Sequence, residues 1–458
     1  MLILKISILE YAKNYLFTRY NLVITPEIFC DILSTMYIKN FDPYDFSKVE
    51  IDGVPIYYKN LPWAPCIHIR IVFNTGAFDD PEGKEGLSHF FEHMVFDGCP
   101  TLPDKKAIQE WSKIHALNTS NAWTSFENTT YWLRCLPEEY QTALAGMKDM
   151  IFYSYFRPED VEHERKVITQ EAWNRFQNEK FLAYTKEYLD NIFHGHEHSR
   201  FYSPLGWPET IAEISQEDIL SWHKSHYGIG NFFIVLAGNV EDKHIEMLKD
   251  FLKDLPKVTK EVRREGQIRK PKEKRFVKTA DEIGEVKEQV EISLLRFAEK
   301  MPYEKNEIAS IFSKLVYEIL HERLRIEQSL CYNVNVGVWD EKTYSEMGMN
   351  VKTDEKNIEI VEKEFRNVLN EIKDNKHQNR FETIKKVYSQ RVKSQELLSG
   401  DIADDTLSEI SKFDGQTFTL ENQLKEIEKV TYQDVVQFSD WAFDPDYTYT
   451  EIILPSKK

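Results

Sequence analysis

Three residues of one short segment have the types and the spacing of a metal site. His89, Glu92 and His93 lie in Gly86–Phe96, an apolar stretch followed by a glycine, as is typical of a short helix. On a helix, positions i, i+3 and i+4 share a face, so these side chains point into one small volume. Two imidazoles four residues apart are natural zinc ligands, and the adjacent glutamate can reach a metal-bound water without being a ligand. The order H-x-x-E-H inverts the commoner zinc-protease motif.

The third protein ligand that a catalytic zinc requires is predicted on a second helix. This helix is predicted to begin at Pro158 and carries Glu164 and Glu171, which are two turns apart and therefore share a face. We predict Glu171 as the third ligand and Glu164 as the carboxylate that orients a ligand histidine. The set predicts one Zn2+ per chain.

Other histidines and the usual nucleophile motifs offer weaker sites. His194, His196 and His198 alternate in a glycine-containing loop, which would leave their imidazoles unfixed. His223 and His226 are three residues apart on a predicted helix, where packing or surface roles suit them better than metal binding. The sequence has no G-x-S-x-G and no G-x-x-x-x-G-K-[ST] motif, and no cysteine stands in a recognisable catalytic setting.

Composition is that of a globular protein with an acidic surface. The 458 residues include 58 basic and 76 acidic side chains, a net charge of −18, which argues against a nucleic-acid partner. The five cysteines are scattered without a C-x-x-C, so a reducing compartment such as the cytoplasm fits best. No apolar run approaches the ~20 residues of a membrane span, and the apolar start lacks a small-x-small cleavage site, so we expect neither a membrane anchor nor a signal peptide.

The elements that must position these side chains follow from local patterns. A β-hairpin is predicted around Asp52-Gly53, a half-buried strand at His68–Phe73 and paired strands within Asn121–Leu133. In the second half of the chain, a helix is predicted from Asn306 to about Glu327, and a strand at Tyr332–Val338. Both halves contain strands as well as helices, and we predict an α+β fold for each.

A recurring pattern predicts two similar αβ domains. Ile214–Trp222 resembles Val430–Phe438, because in both a Ser or Thr precedes a helix with an acid in its first turn, an N-cap signature. Because the two segments lie about half a chain length apart, two related domains account for the recurrence better than three unrelated ones. The predicted boundaries are an N-terminal arm at 1–40, a metal-binding domain at 41–255, a charged linker at 256–275 and a second domain at 276–458.

Taken together, these residues resemble the pitrilysin–insulysin–mitochondrial processing peptidase family of inverted-motif zinc peptidases. The likeness runs from about Phe46 to Pro455. Each matching segment is short, but their combination is specific. The matching segments are His89–His93, Asn121-Ala122-Trp123-Thr124, Glu164–Glu171, Tyr227–Gly238 and Arg325–Tyr332, the last being similar to the family's Arg-x6-Tyr element.

The resemblance implies a zinc-dependent endopeptidase that hydrolyses oligopeptides or unfolded peptide segments, with Glu92 as the general base on a zinc-bound water. It implies two αβ domains with mixed or antiparallel sheets that form half of a clam-shell chamber. One such half per chain predicts a homodimer, or a heterodimer with a related subunit. Arg325 would hold substrate, and Tyr332 would stabilise the oxyanion from the facing half.

The strand at Asn121–Thr124 is the predicted peptide-binding edge. An extended peptide can add to such an edge almost regardless of its sequence, and Asn121, Ala122 and Thr124 are the predicted substrate-binding residues. An ordinary strand with a turn asparagine is the alternative for this segment.

Two other functions stay open for the chain as a whole. One is a non-catalytic scaffold with the same fold, against which the complete ligand set and Glu92 argue. The other is a subunit that is active only with a distinct partner, which would supply the Arg/Tyr element. The presence of Arg325 and Tyr332 in this chain favours self-association.

Overall fold

Two mixed β-sheets packed with helices organise the protein, as predicted for the fold class. The computed structural model describes residues 42–457 without residue 62 and the segments 194–202, 260–267, 341–343, 395–397, 413–414, 416 and 418. The predicted N-terminal arm, the loop histidines His194, His196 and His198, and part of the charged linker therefore lie outside the described residues. No helix in the described ranges is long and apolar enough to cross a membrane.

The first sheet contains the strands that surround the candidate metal site. Its strand order is β1-β2-β6-β3-β5-β4, in which only β2 and β6 pair in parallel. Asp52 and Gly53 form the β1–β2 turn with φ values of 51° and 84°, which fits the predicted two-residue hairpin. The described strands are β1 (Ser47–Ile51), β2 (Val54–Asn60), β3 (Ile67–Phe73), β4 (Asn121–Thr124), β5 (Thr129–Cys135) and β6 (Phe232–Gly238).

The second sheet repeats this plan with one strand fewer among the described residues. Its order is β7-β11-β8-β10-β9, and only β7 and β11 pair in parallel. The parallel pair β7/β11 thus corresponds to β2/β6, and the edge strand β9 corresponds to β4. The described strands are β7 (Arg275–Thr279), β8 (Val290–Glu299), β9 (Cys331–Asp340), β10 (Tyr344–Thr353) and β11 (Tyr449–Leu454).

Helices of the first half connect and cover the strands of the first sheet. Proline stands at the start of the long helix that was predicted to begin at Pro158, where its missing N–H costs no intrahelical bond. The described helices are α1 (Leu87–Met94), α2 (Lys105–His115), α3 (Tyr140–Tyr153), α4 (Pro158–Phe176), α5 (Glu179–Ile192), α6 (Pro208–Glu213), α7 (Gln216–His226) and α8 (Asp242–Leu252).

Helices of the second half include one departure from the predicted pattern. The helix expected from Asn306 to Glu327 is α-helical only to Leu320 and continues as π-helical turns at His321–Glu327. The wider turn is visible where the Gln328 N–H donates to the Arg323 carbonyl, five residues back, at 3.2 Å. The described α-helices are α9 (Asn306–Leu320), α10 (Ile358–Lys373), α11 (Gln378–Lys393), α12 (Ser399–Lys412), α13 (Leu420–Lys429) and α14 (Tyr432–Ala442).

The predicted N-caps are present in both halves. Ser215 Oγ accepts from the Asp218 N–H at 3.2 Å, while Asp218 Oδ2 accepts from the Ser215 N–H at 2.7 Å. Thr431 and Asp434 make the same two bonds at 3.2 and 2.8 Å. These reciprocal capping boxes begin α7 and α14, the helices that precede the corresponding strands β6 and β11.

In each half of the chain, one helix packs on the sheet of the other half. Helix α5 packs on the second sheet, where the Tyr184 hydroxyl donates to Glu451 and the Tyr188 and Tyr449 hydroxyls are 2.7 Å apart. Helix α12 packs on strands β3 and β6 of the first sheet, where Asp404 Oδ1 accepts from Arg70 Nε at 2.6 Å. Residues 44–458 consequently form one compact unit.

Candidate metal centre

Helix α1, which carries His89 and His93, is anchored by its apolar face and by a buried carboxylate. Phe90 is fully buried in the first core. At the helix N-terminus, Asp80 accepts from the Gly86 N–H at 2.7 Å and the Ser88 N–H at 2.8 Å, which satisfies two backbone donors that the helix itself leaves unpaired. The position of the helix is therefore fixed at both its face and its end.

The structure brings together the three predicted ligands. Glu171 Oε2 on α4 lies 3.9 Å from His89 Nε2 and 3.5 Å from His93 Nε2. The three potential ligand atoms lie within 4.8 Å of one another. Tetrahedral ligands at the usual zinc distances of about 2.0–2.2 Å are themselves about 3.4 Å apart. A zinc ion thus fits with small side-chain movements, and the two imidazoles and one carboxylate form a group that could bind it.

The protonation of the imidazoles suits the same role. His93 Nδ1 donates to Glu164 Oε2 at 2.9 Å, because a carboxylate can only accept, and this leaves Nε2 free as a ligand. Burial lowers the pKa of His89 to about 3, so that imidazole is neutral, as ligation requires. Burial also pulls the pKa of His93 down, but the Glu164 bond and the charges of Glu171 and Glu92 raise it overall. A pocket that attracts a proton in this way attracts a metal cation too.

Glu164 belongs to a buried charge network that the sequence did not reveal. Besides His93, it accepts a hydrogen bond from Lys105 Nζ, which also lies 3.1 Å from Asp97 Oδ1. Burial would raise the pKa of Glu164, but the bonds from His93 and Lys105 outweigh it and lower this pKa to about 2. Burial and the Glu164 charge raise the pKa of Asp97 to about 6. Neither Lys105 nor Asp97 stands in a sequence pattern that would have indicated this contact.

Glu92, the predicted base, is held by a threonine. Thr124 Oγ1 on β4 donates to Glu92 Oε2 at 2.6 Å. Glu92 is only 8% exposed, and this burial raises its pKa despite the hydrogen bond. The hydroxyl of Thr124, a predicted substrate-binding residue, thus contacts the predicted base in the structure.

Strand β4 lies beside the metal centre at the edge of the first sheet. Among the described strands it pairs only with β5, so its other edge has no strand partner there. Asn121 is exposed, and its side-chain oxygen accepts from the Ala122 N–H at 2.9 Å. A cavity of about 330 Å³ adjoins this strand and is lined by Glu92, His93 and Asn121, together with residues of α2.

Arg325 and Tyr332 form a pair in the second half of the chain. The Arg325 guanidinium carbon lies 4.7 Å from the centre of the Tyr332 ring, and the Tyr332 side chain is 81% exposed. Among the described residues, no hydrogen bond, ion pair or ring contact joins this pair to His89, Glu92 or Glu171. The structure therefore brings Arg325 and Tyr332 together without such a contact to these residues of the metal centre in the same chain.

The histidines on α7 have structural surroundings. The His223 ring stacks on Phe91 of α1 at 5.5 Å, and burial lowers the pKa of His223 to about 4. The His226 ring stacks on Trp222 at 3.9 Å. Both rings pack on aromatic neighbours, which agrees with the packing or surface roles that the sequence favoured.

Comparisons with known proteins match both halves of the chain. A family model described as insulinase (peptidase family M16) matches residues 56–200, and a model described as the peptidase M16 inactive domain matches residues 213–388. An uncharacterized zinc protease of Rickettsia bellii is 32% identical over 212 residues, which are 45% of this chain and 48% of that protein. The beta subunit of the mitochondrial-processing peptidase of Caenorhabditis elegans is 30% identical over 188 residues, 41% of this chain and 40% of that subunit. The matched region thus spans about half the length of these relatives or less.

The fold is also similar to that of solved structures. A protease from Helicobacter pylori superposes with a TM-score of 0.76 at 18% identity, covering 91% of this chain and all of that one. This likeness concerns the fold, since the identity is low. The two family models together cover most of the chain, and its relatives bear the names of zinc proteases. The chain therefore belongs to peptidase family M16, the insulinase family.

Proposed function

We propose that this protein is a zinc-dependent endopeptidase that hydrolyses oligopeptides or unfolded peptide segments. The observation that carries the proposal is the convergence of His89, His93 and Glu171, with Glu92 beside them as a second carboxylate that is hydrogen-bonded to Thr124. The zinc protease names of the relatives support a peptidase role.

The chain's own residues divide into ligands and a base. His89, His93 and Glu171 would hold the ion, which supplies Lewis acidity that polarises a carbonyl and makes water acidic near neutral pH. Glu92 accepts the proton of the attacking water and passes it to the leaving amine. Its raised pKa makes it a stronger base than an exposed glutamate, and Thr124 keeps its carboxylate in one orientation.

Substrate binding is proposed at the open edge of β4. An extended peptide would pair with this edge through its backbone, with Asn121 and Ala122 as the contacting residues. Such pairing requires an unfolded segment, so short flexible peptides should be cleaved and stable folded domains should not. Rapid digestion of a stable folded domain would count against this mode of binding.

A dimer is proposed because the Arg325–Tyr332 pair does not contact the metal ligands of its own chain. In a homodimer, the second domain (276–458) of one copy would face the metal-binding domain (41–255) of the other across a shared chamber. Tyr332 would then donate to the oxyanion, and Arg325 would hold a substrate carbonyl. A related but distinct subunit that supplies this pair is the competing arrangement.

Three measurements on one preparation test the proposal. We expect one zinc per chain by elemental analysis, peptide cleavage that a chelator abolishes and zinc restores, and a dimer by size-exclusion chromatography. Glu92→Gln is the matched inactive control, because it keeps the shape of the base and removes its charge. Zinc-loaded homodimer without cleavage of any unfolded peptide would favour a scaffold, and activity that appears only with a second subunit would favour the heterodimer.

A further inference from the structure

Lys105 connects two buried carboxylates beside the candidate metal centre. We propose that Lys105 is a positioning residue of this centre, which holds Glu164 against His93 and thereby strengthens zinc binding. The inference rests on the proposed function, since it concerns the affinity for the zinc ion that His89, His93 and Glu171 would bind.

Lys105 forms ion pairs that connect the two helices that carry the ligands. Its ammonium reaches Glu164 on α4, the helix of Glu171, and Asp97, which lies three residues beyond the end of α1. Lys105 itself is the first residue of α2. One side chain thus ties three segments together at the point where the two ligand-bearing helices meet.

The charges around Lys105 explain why its ion pairs are needed to hold Glu164 in place. The Asp97 and Glu164 side chains are 5% and 2% exposed, so water does little to screen their mutual repulsion. Among the described residues, Lys105 is the only lysine or arginine that forms an ion pair with either carboxylate. Without it, Glu164 would be pushed from the position in which it accepts from His93 Nδ1 at 2.9 Å. Losing such a ligand-orienting partner typically weakens metal binding by about 10–100-fold.

An opposing effect must be separated from this one. Removal of a nearby positive charge, taken alone, increases the attraction of the site for a divalent cation. A charge-balanced variant removes this effect: Lys105→Met together with Asp97→Asn deletes one charge of each sign. Because Asp97→Asn also removes the repulsion between the two carboxylates, any loss of affinity in that double variant comes from the lost hydrogen bond of Lys105 to Glu164.

The experiment measures the zinc dissociation constant of the full chain by competition with a chromophoric chelator. We expect about tenfold weaker zinc binding in Lys105→Met/Asp97→Asn. Lys105→Arg should restore most of the affinity because it keeps the charge and two or more donors. Lys106→Met is the matched control, since this exposed neighbour carries the same charge on the same helix, and it should bind zinc like the wild type.

A second measurement tests whether Lys105 acts through Glu164. The effect of Lys105→Met is measured in the wild type and in Glu164→Gln, a double-mutant cycle in which Lys105→Met should no longer weaken zinc binding once Glu164 has lost its charge. The visible spectrum of the Co2+-loaded protein should change in Lys105→Met and return in Lys105→Arg, a signature of ligand arrangement that a general loss of stability would not produce. Lys105→Gln serves in place of the methionine variant if the latter does not fold.

The outcomes separate the two levels of inference. If the wild-type protein and the charge-balanced variant bind zinc equally tightly, the role of Lys105 is overturned and the proposed function stays intact. An effect of Lys105 that persists in full without the Glu164 charge would overturn it as well. Wild-type protein that binds no zinc would refute the proposed function itself.

Discussion

Replacing Thr124 by valine should slow peptide cleavage without removing zinc. Valine has nearly the shape of threonine and keeps the β4 strand, but it cannot donate to Glu92 Oε2, which Thr124 contacts at 2.6 Å. Hydrogen bonds to charged groups contribute about 1.5–3 kcal/mol. If the whole of this bond serves to orient the base in the transition state, kcat should fall by about 10–150-fold at about 1.36 kcal/mol per factor of ten.

The pH profile of the same variant supplies a second, independent test of the bond between Thr124 and Glu92. Burial raises the pKa of Glu92, and the Thr124 bond is the largest of the effects that oppose this rise. Without the bond, the pKa rises further, so a larger fraction of Glu92 is protonated at a given pH. Because the base must be ionised to accept a proton, the acid limb of the activity profile should move to higher pH in Thr124→Val.

The assay is the cleavage of an unfolded fluorogenic peptide, followed from pH 5 to pH 9, with the zinc content of each variant measured in parallel. Thr124→Ser is the matched control, because it keeps the hydroxyl, and its kcat should be close to that of the wild type. A fall in kcat with unchanged KM indicates orientation of the base, whereas a rise in KM alone would indicate the substrate-binding role that the sequence suggested. A valine variant with wild-type kcat and an unshifted acid limb would refute the orienting role.

Three further predictions concern the metal centre and the packing between the two halves. Glu92→Gln should keep its zinc and lose cleavage by about 10²–10⁴-fold, the usual contribution of a general base, and near-normal turnover would remove Glu92 from that role. Glu171→Gln should lose zinc during dialysis against a weak chelator, and full zinc content by elemental analysis would discard this ligand. Burial raises the pKa of Glu451 to about 7, above its unfolded value, so the folded state binds the extra proton and stability should decline as pH rises from about 4.5 to 7. In urea unfolding, the free energy of unfolding of Glu451→Gln should decline over this pH range by up to about 3 kcal/mol less than that of the wild type. Identical pH dependence in the two proteins would contradict the assignment.

The sequence predicted those parts of the candidate site that depend on periodicity within one helix. His89, Glu92 and His93 share a face because of their spacing, and Glu164 and Glu171 share a face because they are two turns apart. A helix turn is a local property, so such groupings can be read from residue positions alone. That α1 and α4 face one another was not contained in these spacings: it was assumed when Glu171 was predicted as the third ligand, and the structure brings the two helices together.

Contacts between segments that are distant in sequence were beyond such reasoning. Lys105 reaches Glu164 across 59 positions, and Thr124 reaches Glu92 across 32. Neither pair has a periodic relation, and a lysine at a helix start or a threonine in a strand is ordinary. The π-helical turns that carry Arg325 also escaped prediction, because the residues there favour a helix without specifying its hydrogen-bond spacing.

The exchange of helices between the two halves has a consequence for how the metal centre is stabilised. Helix α5, which packs on the second sheet, follows α4 after only two residues, so the helix that carries Glu171 is tied to the packing of the second half. In return, α12 covers strands β3 and β6, and Asp404 on that helix pairs with Arg70, a side chain only 4% exposed. A fragment ending near residue 255 would keep all three predicted ligands and α5, yet it would lose α12 and the second sheet on which α5 packs. The second half therefore does more than carry Arg325 and Tyr332: it stabilises the arrangement in which the ligands of the first half meet.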